Sequence, residues 1–483
     1  MLYRPRPYQE LIRSFALEHD RCNVFASPGM GKTSACLDVF ESRRLMGQVR
    51  RLLVLAPKRV AQSAWPDEVE KWRDSFGHLK IAAAVGSQQE RIAALKSGVD
   101  IVCSNYENVP WLIETLGSAW DFDMVVADES TRLKGLRVSV QRRQHKDGSW
   151  GPEFLVGQGA ERAKALAKVA FSKVRHWINA TGSPAPNGIV DTWGQQWFVD
   201  RGKRLGNSFD AFTQRWFRAV PGGDGYSQIE PLPHAQREVE ALLAQTSITV
   251  DAKDWFDLEQ VIEREVLVDL PREARDKYRE MEKAFFTELE TDDGLAKVEV
   301  FNAGSKAQKC LQIASGAVIY DTERNWTEVH DAKIDALKSI YEETNGESLL
   351  VAYQYRADLA RILKAFPKAR ELDDKPQTQR DWNAGKIRML VCHPASAGHG
   401  LSLQHGGRIL VDFASGYNLE YDEQVIERLG PTRQAQSGYK RSVFRYRIIA
   451  RDTLEEHSVL PRLRTKMSVQ ESLKNAMKVR LGA

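Results

Sequence analysis

The stretch 26–33, ASPGMGKT, has the residue types and spacing of a loop that holds phosphate groups, with Ala26 where glycine is usual. It follows an apolar run and precedes a segment of helical composition, so its backbone N–H groups would surround phosphate oxygens at a helix N-terminus. The cradle itself would be formed by Ser27, Gly29 and Gly31. We expect Lys32 to contact the β- and γ-phosphates of ATP and the Thr33 hydroxyl to ligate Mg²⁺.

An Asp-Glu pair follows a second apolar run, MVVAD at 124–128, and could complete a nucleotide site. Such pairs are common on protein surfaces, but this one ends a strand of buried type downstream of the phosphate loop. We expect Asp128 to bind Mg²⁺ directly or through water, and Glu129 to orient and deprotonate the water that attacks the nucleotide.

Short apolar runs alternate with helical stretches on both sides of these residues, which predicts α/β domains with parallel sheets. Strands are predicted at 22–27, 51–57, 100–105, 123–128, 176–184, 262–271, 348–355, 387–394 and 408–414. The Gly/Pro-rich stretch 220–233 predicts an extended loop. We expect an N-terminal ATP-binding domain at 1–245, a linker at 246–261 and a C-terminal domain at 262–483.

Composition limits the class of protein. The 483 residues are 42% hydrophobic and 28% charged, which is typical of a folded globular chain. No apolar run approaches the ~20 residues of a membrane-spanning helix, and the N-terminus has no signal-peptide pattern. The five cysteines are far apart and form no CxxC pair, so we expect neither a zinc site nor a disulfide framework. We expect a reducing cytoplasm as the compartment.

Several further motifs occur in the order found in superfamily 2 helicases and translocases, which this chain resembles from about residue 5 to about residue 455. The resemblance implies two tandem RecA-like domains flanking an ATP cleft, with Mg²⁺ and ATP as cofactors. Gln9 would contact adenine, and Lys58, in the LAPK of motif Ia, would lie along a nucleic-acid strand. Thr181 and Ser183, in the TGSP of motif III, would couple hydrolysis to movement. This form of motif III is similar to that of the Swi/Snf class of duplex-DNA translocases.

The second half resembles motifs V and VI of the same class. Gly400 would help to bind the nucleotide, and Gln424 would have a coupling role. Motif VI departs from the usual pattern because Pro431 stands where a second arginine is usual. Either Arg428 or Arg433 could therefore be the arginine finger, and the sequence leaves both open. The short chain looks most like the compact DNA helicases encoded by bacteriophages.

A basic segment follows the Asp-Glu pair. Residues 132–146 contain six Lys or Arg and no acidic residue, and the Asp-Gly at 147–148 favours a hairpin turn. We predict a basic β-hairpin insertion at about 132–160 in which Arg142, Arg143 and Lys146 contact phosphates. A solvated loop is the alternative. A second group of basic residues lies later in the chain and comprises Lys440, Arg441, Arg445 and Arg447. Phosphate contact and structural packing are both open interpretations of this group.

These features predict a nucleic-acid-stimulated ATPase, a DNA helicase or translocase for duplex, forked or branched DNA in replication, recombination or repair. The alternative is an ATP-switched duplex-DNA translocase or remodeller that displaces proteins without separating strands. The motor of a restriction-type complex is a third interpretation. We expect DNA as a partner, together with replication or recombination proteins. We expect the chain to be a monomer without membrane association. If a phage encodes it, we expect it to act in the cytoplasm of the bacterial host.

Overall fold

The computed structural model describes residues 1–144, 149–221, 227–259, 261–290, 307–319, 325–373, 375–397 and 401–478. The chain forms two units. The first comprises Met1–Arg218, Ile229–Trp255 and the described residues from Ser468, and the second comprises Ala219–Gln228 and Phe256–Met467.

A seven-stranded parallel sheet organises the first unit, with the strand order β11-β1-β8-β5-β2-β4-β3. The elements up to the last of these strands are α1 (Pro7–Glu18), β1 (Arg21–Ala26), α2 (Lys32–Leu45), β2 (Leu52–Ala56), α3 (Trp65–Lys71), α4 (Arg73–Phe76), β3 (Ile81–Ala84), α5 (Gln88–Lys96), β4 (Ile101–Asn105), α6 (Val109–Leu116), β5 (Met124–Asp128), β6 (Leu136–Gln144), β7 (Trp150–Gly159), α7 (Glu161–Ala170), β8 (His176–Thr181), α8 (Thr192–Asp200), α9 (Phe209–Trp216), β9 (Phe217–Pro221), β10 (Ser227–Pro231), α10 (Ala235–Leu243) and β11 (Ser247–Val250). The central strands are apolar and fully buried because helices cover both faces of the sheet.

The second unit is built on a six-stranded sheet, also parallel, with the order β12-β19-β18-β15-β17-β16. The remaining elements are β12 (Val261–Val268), α11 (Arg272–Glu290), α12 (307–315), β13 (Ala317–Ile319), β14 (Trp326–Glu328), α13 (Ala332–Glu343), β15 (Leu349–Ala352), α14 (Arg356–Ala365), β16 (Arg370–Glu371), α15 (Pro376–Asn383), β17 (Met389–Cys392), α16 (Pro394–Ala397), β18 (Ile409–Asp412), α17 (Leu419–Leu429), α18 (Pro431–Gln436), β19 (Val443–Ala450) and α19 (Leu460–Lys478). Two parallel sheets of this kind confirm the predicted α/β fold class.

All nine strands predicted from apolar runs are present, and no end differs from its predicted position by more than three residues. Two strands of the first sheet were not predicted. The strand β3 has the sequence IAAA, and alanine has little strand preference. The strand β11 is four residues long and lies inside the range expected to be a linker. The loop prediction for 220–233 was wrong in part, since β9 and β10 pair there in a two-stranded ribbon.

The predicted hairpin is present as the antiparallel pair β6 and β7, with Leu136 opposite Gly159. Its predicted turn at 147–148 lies outside the described residues. At the base of the hairpin Gly159 has a φ of 85°, and a Cβ there would collide with the carbonyl oxygen of Gly135. Glycine is therefore needed where the ribbon closes onto the first unit.

Buried ion pairs join the strands and helices of the second unit. Asp412 ends β18, and Asp422 lies in the first turn of α17. Both carboxylates accept hydrogen bonds or form ion pairs with Arg445 and Arg447 of β19, with 2.7 Å between Arg445 Nε and Asp412 Oδ2. These guanidinium groups hold the pKa of Asp422 well below its usual range, although burial opposes them. Of the two open interpretations of these arginines, packing is the one that the contacts support.

A second buried pair ties α13 to the chain after β19. Lys333 is fully buried, and its ammonium donates to Glu455 Oε1 at 2.7 Å and to the carbonyl of Phe413 at 3.0 Å. The other carboxylate oxygen of Glu455 accepts from the backbone N–H of Ala450. The pair therefore fixes three segments of the second unit at one point.

All five cysteines are buried and unpaired: Cys22, Cys36, Cys103, Cys310 and Cys392. Burial raises the pKa of each thiol above its usual value. Among the described residues, no helix has a stretch that is long and apolar enough to cross a bilayer.

Candidate active site

Three adjacent strands of the first sheet bring the predicted nucleotide residues to one edge. The strands β1, β8 and β5 lie side by side in parallel, with Phe25 opposite Thr181 and Asp128 opposite Ala180. Their carboxyl ends therefore carry the phosphate loop, the TGSP stretch and the Asp-Glu pair to the same edge. This is the edge at which ligands bind in open α/β sheets.

The phosphate loop has the backbone that its glycines predict. Gly29 and Gly31 have φ values of 83° and 69°, in the left-handed region, and Lys32 is the first residue of α2. A Cβ at Gly31 would collide with the amide nitrogen of Gln9. The N-terminus of α2 thus points its unsatisfied N–H groups into the loop, as an anion site requires.

The side chains of the loop contact nearby backbone and side-chain groups. Lys32 Nζ donates to the carbonyl of Ala26 at 2.7 Å, which holds the ammonium over the loop. Thr33 is half-buried in the first turn of α2. Ser27 donates its hydroxyl to Asp251 Oδ1 at 3.3 Å, and this aspartate follows β11 directly. Sequence reasoning missed Asp251 because nothing in the local pattern links it to the loop.

Gln9 is buried beside the loop. Its Nε2 donates to Ser34 Oγ at 3.1 Å and to the carbonyl of Gly31 at 3.4 Å, while its Oε1 accepts from the backbone N–H of Arg6. The amide therefore contacts the backbone that would hold phosphates. Its predicted contact with adenine stays a prediction, since both ends of the amide have protein partners here.

The acidic pair is held by contacts that the sequence did not reveal. Asp128 is 8% exposed, and its Oδ2 accepts from the indole N–H of Trp65 at 3.0 Å. Tyr106 donates its hydroxyl to the backbone carbonyl of Asp128 at 2.9 Å. Burial, followed by the charge of Glu129, raises the pKa of Asp128 to about 6. Trp65 is itself buried, so this hydrogen bond to the carboxylate is shielded from solvent.

Glu129 lies in a strained conformation next to the predicted coupling residues Thr181 and Ser183. Its φ is 57°, a left-handed value that costs a non-glycine residue about 1 kcal/mol or more and is often found at functional sites. Thr181 donates its hydroxyl to Glu129 Oε2 at 3.2 Å and accepts from the backbone N–H of Ser183 at 3.1 Å. A Cβ on Gly182 would lie 3.1 Å from Pro28 Cδ, so the TGSP stretch also packs on the phosphate loop.

The donor set at this edge fits ATP with Mg²⁺. Helix N–H groups and an ammonium suit phosphate oxygens, while a buried carboxylate and a hydroxyl suit a magnesium ion. The structure brings together Gln9, Ser27, Gly29, Gly31, Lys32, Thr33, Asp128, Glu129, Thr181 and Ser183.

The elevated pKa of Asp128 predicts a pH dependence of stability in magnesium-free buffer. A carboxyl whose folded pKa lies above its unfolded value stabilises the fold below the unfolded pKa, and this contribution is lost as the pH rises through the folded pKa. With a folded pKa of about 6, unfolding free energy should fall by about 2 kcal/mol between pH ~4 and ~7, relative to Asp128→Asn. Urea unfolding at several pH values with EDTA measures this; parallel curves for the two proteins would contradict it.

The predicted nucleic-acid residues are only partly described. Lys58 is exposed just after the carboxyl end of β2, at the same edge as the phosphate loop. Arg142 is exposed on β6. Arg143 lies on the same strand, but its side chain is not described, and Lys146 lies outside the described residues.

The predicted residues of the second unit lie around α17 and the segment before β18. Arg428 is 5% exposed and donates to the carbonyl of Leu401 at 3.2 Å. Arg433 donates to Ser402 Oγ at 3.1 Å, and burial lowers its pKa. Gln424 is buried and donates to Glu420 Oε1 at 3.2 Å. Gly400 lies outside the described residues, and the contacts favour neither arginine as the finger.

The other basic residues near motif VI differ in exposure. Arg441 donates to Gln434 Oε1 at 2.9 Å and to the carbonyl of Gln404 at 2.8 Å, which are packing contacts. Lys440 is exposed. Phosphate contact therefore stays open for Lys440 alone among the four residues of this group.

Comparison with known proteins gives one extensive match. No family model matches the chain. The putative protein p41 of Acyrthosiphon pisum secondary endosymbiont phage 1 is 47% identical over 479 residues, which cover 99% of both chains. This chain belongs to the p41 family.

One more distant protein and two solved structures are also similar to this p41-family chain. An uncharacterized ATP-dependent helicase of Mycoplasma genitalium, MG018, is 22% identical over 449 residues, covering 89% of this chain and 38% of that protein. The helicase domain of Pyrococcus furiosus Hef has a TM-score of 0.53 at 15% identity, with 95% of this chain and 99% of that chain covered. The SWI2/SNF2 ATPase core of Sulfolobus solfataricus in complex with dsDNA has a TM-score of 0.43 at 19% identity, covering 98% and 94%. The Hef match confirms the helicase fold that the motifs predicted.

Proposed function

We propose that this p41-family chain is an ATP- and Mg²⁺-dependent DNA helicase or translocase whose ATPase activity is stimulated by nucleic acid. One observation supports this most directly. Lys32, Asp128, Glu129 and Thr181 meet at the carboxyl ends of β1, β5 and β8, so the phosphate-binding, metal-binding and water-activating groups share one edge.

In the proposed reaction, the N–H groups of the phosphate loop and Lys32 bind the β- and γ-phosphates. Thr33 and Asp128 would hold Mg²⁺, which would supply positive charge next to the phosphates. Glu129 orients the attacking water and accepts its proton, while Thr181 fixes the position of the Glu129 carboxylate. Either Arg428 or Arg433 supplies positive charge to the γ-phosphate, and Gln424 and Ser183 act in coupling.

DNA as the substrate rests on the motif resemblance and on the basic hairpin. The TGSP stretch resembles the form of the duplex-DNA translocases, and Lys58 and Arg142 are exposed cations that could contact phosphates. We propose action on duplex, forked or branched DNA during replication, recombination or repair, in the cytoplasm of a bacterial host, by a monomer. The second candidate is a remodeller that moves along duplex DNA and displaces proteins without separating strands.

The test is steady-state ATP hydrolysis with Mg²⁺, measured without nucleic acid and with single-stranded DNA, duplex DNA, forked DNA or duplex RNA. The control is Lys32→Ala. DNA stimulation with release of a labelled strand supports a helicase, whereas duplex stimulation without release supports the remodeller. Lys32-dependent hydrolysis that no nucleic acid stimulates would contradict the DNA-motor proposal.

The hairpin predicts the salt dependence of DNA binding. Replacing Arg142, Arg143 and Lys146 by glutamine should flatten the slope of log K against log salt by about 0.9 for each duplex-DNA phosphate that the variant no longer neutralises. Fluorescence anisotropy with a labelled duplex at several salt concentrations measures the slope.

The matched control removes three exposed cations elsewhere in the first unit, Lys71, Arg73 and Lys80. This control should leave the slope unchanged, because it alters net charge equally without touching the hairpin. Equal slopes for wild type and the hairpin variant would show that the hairpin is only a solvated surface.

A further inference from the structure

A cavity of about 580 Å³ lies in the first unit between the hairpin, α7 and the end of α8. Its volume is in the range of ligand-binding pockets. The apolar part of its wall comes from both hairpin strands and from α7, and includes Val138, Leu155 and Ala167. None of the residues that the ATP site uses lines it.

The chain path places this cavity away from the proposed ATP site. Helix α8 follows the loop after β8 and runs back along the sheet, so that Arg21, at the start of β1, donates to the carbonyl of Phe198 near the end of the helix. Trp197 and Arg201 therefore lie at the amino-terminal edge of the strands. The phosphate loop and Lys58 lie at the opposite, carboxyl edge.

The charged residues that line the cavity, among those that the structure describes, are all basic. They are Lys164, Lys168 and Arg201. Lys164 is paired with the exposed Glu161, with 2.6 Å between Nζ and Oε2. Lys168 and Arg201 are exposed, and neither forms an ion pair with the part of the chain that the structure describes. The cavity therefore favours a ligand with negative charge.

One local feature indicates a binding role. Arg201 has a φ of 58° just after the end of α8, where glycine would be unstrained. Such strain in a non-glycine residue is often kept at ligand sites, and here it presents a cation at the cavity.

The aromatic residues at this site do not offer a stacking platform for a base. The Arg21 guanidinium lies 4.3 Å from the centroid of the Phe171 ring. The rings of Phe171 and Trp197 pack edge to face, with 5.3 Å between their centroids. Trp197 is only 5% exposed and also contacts Phe198 edge-on. Binding of unpaired bases depends on open aromatic faces, so a nucleotide is the less favoured occupant.

We propose that this cavity is a docking site for an acidic peptide of a partner protein. A bulky aliphatic or aromatic side chain of the peptide fills the space beside Val138, Leu155 and Ala167. Its carboxylates pair with Lys168 and Arg201. The inference is independent of DNA unwinding, since the residues involved are not those of the ATP site.

The experiment selects random-sequence displayed peptides on the intact chain, with counter-selection on a Lys168→Glu/Arg201→Glu variant. Enriched peptides should combine acidic residues with a large apolar one. In fluorescence anisotropy, the labelled consensus peptide should bind the wild type, and its affinity for the double variant should be about tenfold or more lower. Replacing the apolar residue of the peptide by alanine should weaken binding similarly.

Matched controls separate docking from folding and from ATPase activity. Lys173→Glu/Arg175→Glu makes the same charge change at exposed residues just outside the cavity and should leave peptide binding intact. Arg201→Gly relieves the positive φ, so it should fold at least as stably and still lose affinity. All variants should keep their nucleic-acid-stimulated ATPase rates. Failure to enrich acidic peptides, equal binding by the Lys168→Glu/Arg201→Glu variant, or binding of a single-stranded oligonucleotide that depends on Lys168 and Arg201 would each overturn the proposal.

Discussion

Glu129→Gln is expected to lower the turnover number of ATP hydrolysis by about 10²–10⁴, the usual contribution of a positioned general base. Glutamine keeps the shape and can still accept from Thr181, but it cannot take a proton from water. The strained backbone at Glu129 and its 3.2 Å contact with Thr181 indicate that this carboxylate is held in place for one task. Steady-state ATPase assays at saturating DNA, together with binding of a fluorescent ATP analogue, measure the effect.

Two controls make this result specific. Lys32→Ala should weaken nucleotide binding as well as hydrolysis, whereas Glu129→Gln should bind the analogue normally. Thr181→Val keeps the side-chain size but removes the hydroxyl with its hydrogen bonds to Glu129 and to the N–H of Ser183, so turnover should fall by the equivalent of about 1–2 kcal/mol. Near-normal turnover by Glu129→Gln would show that another group activates the water.

Lys333→Met is expected to lower the unfolding free energy of the second unit by about 3–5 kcal/mol, because it leaves the Glu455 carboxylate buried without its cation. Lys333 is fully buried, and no solvent could replace the missing partner. For a unit of this size the effect corresponds to a fall in melting temperature of about 10 °C. Thermal unfolding followed by circular dichroism measures it.

The double variant Lys333→Met/Glu455→Leu tests the cause. Removing both charges should recover part of the stability, since apolar replacements of buried ion pairs are often tolerated. Recovery should be incomplete, because the carbonyl of Phe413 and the N–H of Ala450 lose their partners as well. A single variant Lys333→Met as stable as the wild type would refute the assigned role of the pair.

The sequence predicted the sheet fold well because buried parallel strands are continuous apolar runs. LLVLA at β2 and MVVAD at β5 are such runs, and both strands are where they were predicted. The strand β11 was missed because four residues, SITV, form a strand only through pairing with β1, which is over 200 residues away in sequence.

The candidate site was predictable where its residues belong to one short motif. Lys32 and Thr33 follow from the spacing of the loop, and the grouping with Asp128 follows from strand order. The partners that position these residues were not predictable, because Trp65, Tyr106 and Asp251 reach the site only through the fold. The packing role of Arg445 and Arg447 was likewise open, since the charge of an arginine does not reveal whether a carboxylate is buried beside it.

The five buried thiols allow local and global unfolding of the chain to be measured without an added probe. Each raised pKa keeps a thiol protonated and unreactive, so alkylation of the native protein requires local or global unfolding. Cys22, Cys36 and Cys103 belong to the first unit, while Cys310 and Cys392 belong to the second. Mass spectrometry of alkylated peptides would therefore give a separate opening rate for each unit. The same protection would let a cysteine introduced on the surface be labelled with a dye while the native ones stay in place.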